Sequence, residues 1–534
     1  MADPPKSFPG SEQAVESLAG DMFRYLQGCF PVCCESDEFY YFPQLVPHAP
    51  DWSRWDDFSA ERVREVERRL SRFESRLAAL SGDNGDLETL TDIETLISLS
   101  KTLREQLMEV RFQSDQPTFY LTVACIGLAS ALTTPDQQAW TERAAGLPSF
   151  LKAARESLKN IPALFRDMGI RMVREMTAWL KPLGAVKEGV PPLLEALESF
   201  HQSLANVSTR ESFLLPRDLF DLVIRDHMRC GVGADEVRSA IEDEISITKT
   251  ILEREAEKIL PGSSWGEAVR HIGVPQLPDE GPTELFRREI ENLLAHCIDS
   301  GIVSSEFSRL YPVRVSVVPP YLATIRAASS YSFSPAGPSF GGTFSIVPAG
   351  EEWDNNREDL IDYRMLAAHE TYPGHHLLDA SRWHGCRSVR RPIETPLFYE
   401  GWACFAEELM RQTGYFTGKG DLLLLAKRRY RRALRGLVDL DLQTGKMDLQ
   451  SAAAFLAERV FDESAAASAV PKYALRPGYQ VCYTFGLTRF LDLYRQFGEA
   501  DIPEFVRAVL VEGEIDFPHL EKILKRHGAK ESTS

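Results

Sequence analysis

The run His369-Glu370-Thr371-Tyr372-Pro373-Gly374-His375-His376 gathers three imidazoles and a carboxylate into eight residues, and Tyr399-Glu400-Gly401-Trp402-Ala403 adds a second carboxylate shortly after. Imidazole suits zinc, and a neighbouring Glu can take a proton from a water that the ion activates. In the zinc-protease pattern H-E-x-x-H, the two histidines stand at i and i+4 on one helical face. Here the residue at i+4 from His369 is Pro373, which cannot bind a metal. In a straight helix i+6 is rotated by roughly 240°, and i+7 lies about 10.5 Å further along the axis. Neither would share an ion with His369, because a Zn–N bond is only about 2.0–2.1 Å long.

Pro373-Gly374 does not suit a straight helix, however. Proline removes a helical N–H and clashes with the carbonyl four residues back, and glycine permits unusual backbone angles. If two residues loop out, His375 takes the i+4 role; if three do, His376 takes it. His375 is favoured. Residues 399–410 read as a helix, with Trp402, Phe405 and Leu409 on one apolar stripe. Glu400 near its start can face the histidines as a third ligand. Glu407, two turns up, is placed either to hold a histidine N–H or to be a solvated acid. Three ligands and an open position characterise a catalytic zinc, so one Zn2+ held by His369, His375 (or His376) and Glu400 is expected, with Glu370 as general base.

The segment H-E-x-x-P-G-H-H, followed by E-G-W-A and by Pro477-Gly478 with Tyr483, resembles the family catalogued as domain of unknown function 885. Glu400-Gly401-Trp402-Ala403 with Glu407 is also similar to the second motif of the gluzincin peptidases. The resemblance is firm over roughly residues 310–500 and loose before that. It implies a mainly α, multi-helical gluzincin-like metallopeptidase fold with a small β-sheet next to the metal helix. It also implies a tyrosine, here Tyr483 with Tyr479 as the runner-up, that steadies the oxyanion of an attacked carbonyl. In gluzincins an edge strand pairs with the substrate, and the segment 341–348 stands in that position; an ordinary hairpin strand is the other reading. The chain departs from the family at Leu378, Gln443, Tyr479 and Thr484 and in the glycine-rich segment 331–342. These departures put the usual substrate in doubt more than the hydrolytic chemistry.

Arg428, Arg432 and Arg435 fall on one helical face within a basic run and could clamp a substrate carboxylate. With a net charge of −18, the chain is a poor candidate for nucleic-acid binding.

Around these motifs, 534 residues with 44 % hydrophobic content can bury a large core. Residues 59–80 carry Val63, Val66, Leu70, Phe73, Leu77 and Leu80 at helical steps. Similar patterns run through 85–133, 150–181, 189–229, 233–260 and 283–300. Strand-like pieces, 313–318 and 342–347, cluster just before the histidines. The chain therefore reads as a helical N-terminal region, 1–300, packed on a zinc-binding catalytic region, 301–534, the two forming one continuous structural unit with a cleft between them. Residues 1–6 lack the basic and apolar regions of a signal peptide, and the apolar run 121–132 is too short to span a bilayer. Nine cysteines without a framework suit a reducing cytoplasm. The expected activity is a zinc-dependent peptidase or amidase acting on a small peptide or amino-acid conjugate. A tailoring enzyme of a biosynthetic pathway is the alternative, and a catalytically silent binding protein the third reading.

Overall fold

The computed structural model describes residues 9–46, 50–81, 86–319, 325, 329–336, 340–346 and 360–531. The chain divides into two compact units, one formed by residues 1–215 with 319–327 and 387–394, the other by 216–318, 328–386 and 395–534. Residues 216–300, assigned to the N-terminal region by the sequence, thus belong to the second unit.

The first unit is a helical assembly. Its main helices are α1 (Pro9–Cys29), α2 (Ala60–Leu80), α3 (Leu87–Glu105), α4 (Pro117–Thr133), α5 (Ala139–Ser157), α6 (Ala163–Leu183) and α7 (Val190–Asn206). The two-residue strands β1 (Ile161–Pro162) and β2 (Thr209–Arg210) form a parallel pair. Helix α2 starts where Ser59 accepts the Arg62 N–H, and it buries Val63, Val66, Leu70, Phe73 and Leu77, the expected stripe. The apolar run in α4 is buried inside this unit's core. No helix among the described residues is long and apolar enough to cross a membrane. Buried Asp92 holds the segment 387–394 through Arg387 and Arg390, each with Nε 2.6 Å from a carboxylate oxygen.

The second unit contains α8 (Ala234–Ile259), α9 (Pro282–Asp299), β3 (Val313–Val317), β4 (Ser330–Ser334), β5 (Gly341–Ile346), α10 (Tyr363–Glu370), α11 (His375–Gly385), α12 (Pro396–Gln412), α13 (Asp421–Gln443) and α14 (Val481–Phe497). The architecture is mainly helical with small sheets, as expected. The three-stranded sheet has the order β3-β5-β4, with β3 parallel and β4 antiparallel to β5. This corrects the edge-strand expectation for 341–348. Strand β5 is central and its backbone groups are spent on both neighbours, so β3 and β4 are the outer strands of this sheet. Val347 and Pro348, which end the expected strand, lie outside the described residues, as do 337–339 of the glycine-rich segment and residues 1–6. The sheet packs on α11 through Tyr331, Phe333 and Ala380.

Helices α12 and α14 cross closely. A Cβ on Gly401 would lie 2.6 Å from the Gly486 Cα, so two glycines facing each other set this spacing. The stripe Trp402, Phe405 and Leu409 is fully buried on α12. All nine cysteines are buried, and all are free thiols.

One carboxyl in the first unit carries a stability signature. Asp56 accepts the Val32 and Cys33 N–H groups at 3.0 and 3.4 Å, while its Oδ2 has no hydrogen-bond partner among the described residues. Burial pushes its pKa up to about 7, against the opposing pull of those N–H groups and Arg143. An unfolded Asp titrates near 3.9, so between about pH 4 and 7 the folded state keeps a proton that the unfolded state has lost. Stability attributable to this group therefore falls as pH rises through that window. Asp56→Asn keeps an acceptor for the turn but does not titrate. Its urea midpoint should exceed that of the wild type at pH 8, with the gap shrinking towards pH 5; parallel pH profiles would refute the assignment.

Candidate metal centre

His369 and Glu370 end α10, and His375 begins α11. Pro373 forbids a continuous helix, and the chain turns through Thr371–Gly374, where Tyr372-Pro373 is a cis peptide. The turn is tied by Gly374 N–H to the Ala368 carbonyl at 3.0 Å and by Trp402 Nε1 to the Pro373 carbonyl at 3.0 Å. A Cβ on Gly374 would sit 1.9 Å from the His369 carbonyl oxygen, so no other residue fits there. The break folds His375 back against His369, with ring centroids 4.8 Å apart and planes at 79°.

Glu400, on the second turn of α12, meets both rings. His369 Nε2 and His375 Nε2 each lie 3.6 Å from Glu400 Oε2. These contacts exceed hydrogen-bond length, and Oε2 has no hydrogen-bond partner among the described residues. Ligands bound at about 2.0–2.1 Å in tetrahedral geometry stand about 3.4 Å apart, so the donor set and its spacing fit zinc. All three residues are buried, and their donor atoms lie within 4.8 Å of one another.

Each donor is oriented by neighbours. His369 Nδ1 faces Glu407 Oε1 at 3.1 Å. Arg432 Nη2 lies 2.7 Å from the same oxygen and 3.2 Å from Nδ1. With a carboxylate as acceptor, the proton belongs on Nδ1 and the lone pair on Nε2. Glu407 is fully buried and also accepts two hydrogen bonds from Arg428, both 3.0 Å. Burial opposes its charge, but Arg428, Arg432 and His369 outweigh burial and hold its carboxyl well below the usual range. Of the two sequence readings for Glu407, the structure shows the histidine partner rather than the solvated acid. His375 is stacked on Tyr399, with centroids 4.0 Å apart and planes at 19°. The Tyr399 hydroxyl donates to Asp379 at 3.2 Å. Glu400 Oε1 accepts the Tyr479 hydroxyl at 2.7 Å.

His376 points elsewhere. Its Nδ1 is 2.9 Å from the Tyr331 hydroxyl, and its Nε2 is 3.0 Å from the Tyr311 carbonyl and 3.1 Å from the Tyr372 hydroxyl. Burial pushes its pKa down to about 4, against the Tyr311 hydrogen bond, so it is neutral at pH 7. It joins the sheet to α11 and stands apart from the cluster. Glu370 is buried next to His369 in sequence, and its side chain makes no hydrogen bond or ion pair with another described residue. Tyr483 sits on α14 with its hydroxyl beside Glu400. Burial and the Glu400 charge push its pKa up, so it remains a neutral donor at pH 7.

The arginine face is divided. Arg428 and Arg432 are committed to Glu407. Arg435 donates to Gln480 Oε1 and lies over the Tyr483 ring, 4.8 Å from its centroid. Reasoning from sequence missed Tyr399 and Asp379 around His375, and Tyr331 and Tyr372 around His376. Tyr399 alone carried a local signal, as the immediate neighbour of Glu400.

Fold and site together define a predominantly helical protein with a buried two-histidine, one-carboxylate cluster. The chain belongs to the family described as "Bacterial protein of unknown function (DUF885)", whose model matches residues 47–524. No curated protein matches it. Among solved structures, a candidate lipoprotein of unknown function from Shewanella oneidensis is similar, with a TM-score of 0.74 at 13% identity, covering 96% of this chain and 99% of that one. A candidate lipoprotein from Colwellia psychrerythraea is similar with a TM-score of 0.75 at 16% identity, covering 97% and 99%. At such identities the likeness establishes the fold alone.

The separation of the two adjacent histidines is directly testable. Purified protein loaded with zinc should hold about one equivalent, as expected for a single three-ligand site. His375→Ala should lose the ion, whereas His376→Gln should keep it while melting at a lower temperature. Metal analysis with the opposite pattern would reverse the assignment.

Proposed function

We propose that this protein is a zinc-dependent hydrolase of the gluzincin kind, cleaving an amide bond in a small peptide or amino-acid conjugate. The observation that carries the reading is the convergence of His369 Nε2, His375 Nε2 and Glu400 Oε2, with the buried and unengaged Glu370 next in sequence. His369, His375 and Glu400 would hold the ion, and the orientation of these three side chains depends on Glu407, Tyr399 and Tyr479. Zinc, when bound, polarises the amide carbonyl and lowers the pKa of a water to about 7.

The remaining work falls to the chain. Glu370 accepts the proton of the attacking water and then gives it to the departing nitrogen, the two tasks of one acid–base group. Tyr483 donates a hydrogen bond to the oxygen that gains charge as the carbonyl becomes tetrahedral. The buried surroundings strengthen that hydrogen bond, because water does not compete for it.

A tailoring role in a biosynthetic pathway is the second reading. It is favoured by the departures at the end of α13, in the turn before α14 and on α14: Tyr479 is bonded to Glu400, and the buried side chains of Gln443 and Thr484 have no hydrogen-bond partner among the described residues. The proposed location is the cytoplasm, on nine buried free thiols. The lipoprotein descriptions of the two similar structures make a membrane-attached location the competing assignment, which cell fractionation decides.

Glu370→Gln separates chemistry from architecture. The variant should retain zinc and its helical circular dichroism. It should lose about 10²–10⁴-fold in chelator-sensitive turnover of dipeptides or acyl-amino acids, the range typical of a lost general base. Undiminished turnover would remove Glu370 from the mechanism.

A further inference from the structure

Among the cations of α13 are Lys427, Arg428, Arg432 and Arg435. Two carboxylates answer them. Glu407 pairs with Arg428 and Arg432, and Asp362 stands 3.6 Å from Arg428 and 3.7 Å from Lys427. Arg435 receives no ion pair from any described residue; the partner of its guanidinium is the neutral amide oxygen of Gln480. Asp439 is the nearby carboxyl, but its two oxygens accept the Gly478 and Gln480 N–H groups at 3.2 and 3.0 Å. Burial pushes the Asp439 pKa up to about 7, so it is a weak counter-charge near neutral pH.

Position distinguishes Arg435 further. Its guanidinium lies over the ring of Tyr483, whose hydroxyl sits beside Glu400, so one aromatic ring separates this cation from the donor cluster. Arg432 lies over the same ring at 5.9 Å, and its Nη1 is buried without a hydrogen-bond partner among the described residues. Arg435 as a whole residue is only partly buried, unlike Arg432. An under-neutralised guanidinium beside a reaction centre is well suited to a planar carboxylate, which it can grip with two N–H groups.

The geometry points to Arg435 as the anchor for a carboxylate of the substrate, held by Gln480 and the Tyr483 ring, with Arg432 Nη1 as a second donor. The inference rests on the proposed hydrolase for the position of the scissile bond. It narrows the substrate class to amides that carry a carboxylate close to that bond, such as acyl-amino acids or peptides with a free C-terminus, and disfavours esterified, amidated or uncharged amides. Gln480 is suited to this role because it fixes the guanidinium without neutralising it; a Glu at the same place would cancel the charge.

Binding can be measured without turnover, using three probes: hippurate, which has an α-carboxylate; benzoyl-isoglutamine, which has only a side-chain carboxylate; and hippuramide, which has neither. Calorimetry on zinc-loaded Glu370→Gln protein, whose turnover is suppressed, and on metal-free protein should show at least one acid binding about 10- to 100-fold more tightly than hippuramide, the scale of a charge-assisted hydrogen-bonded pair. The preference should persist without metal, and the tighter acid reports which carboxylate the site takes. Arg435→Gln should abolish the preference, and so should Gln480→Glu, which keeps the arginine but supplies an internal partner. Equal binding of all three probes, no binding of either acid, or a preference unchanged in both variants would overturn the assignment. Peptide hydrolysis without acid preference would sink the anchor alone. Acid preference without hydrolysis would sink the hydrolase reading and leave the anchor standing.

Discussion

The candidate centre depends on one fully buried carboxylate. Glu407 accepts hydrogen bonds from Arg428 and Arg432 and faces the Nδ1 of His369, so a single side chain ties α10, α12 and α13 together at the cluster. A buried ion pair of this kind costs desolvation that its own attraction barely recovers, and is weak evidence for stability. Its effect lies in geometry. With Glu407 in place, the His369 ring has one sensible tautomer and one orientation, and both direct Nε2 at Glu400. Removing the acid would strand the buried Arg432 guanidinium as well as release the imidazole.

The interruption at Pro373-Gly374 complements this arrangement. An unbroken helix would put the second histidine out of reach. A break between two short helices places His375 against His369, while His376, one residue on, turns towards the sheet. Adjacent identical side chains thus end in opposite roles, one presenting a lone pair to a cluster and the other hydrogen-bonded on both ring nitrogens. The close crossing of Gly401 and Gly486 then brings Tyr483 of α14, and Tyr479 just before it, to Glu400.

What the sequence made legible was local. Helical stripes such as Val63 to Leu77 and Trp402 to Leu409 are written in residue spacing, and the packing follows them. The grouping of His369, His375 and Glu400 was legible because a proline in a histidine helix forces a break, and few breaks leave the rings useful. Pairings across long separations were not legible. Nothing near Arg428 announces Glu407, and nothing in a β-rich segment announces that β5 sits between β3 and β4 rather than at an edge. The boundary near residue 216 was equally hidden, because helical periodicity continues on both sides of it. The arginine face shows both limits: its common side of the helix was readable, but its division between bound and available guanidiniums depends on residues far away in sequence.

The nine cysteines have a practical consequence. Spread from Cys29 to Cys482 across both units, every one is a buried, unoxidised thiol. An alkylating reagent can reach such a thiol only when the surrounding structure opens, so the labelling rate at each cysteine measures the free energy of local opening there. The molecule therefore carries its own set of position-specific clocks, from which the order in which its parts come undone can be timed without inserting a single foreign probe.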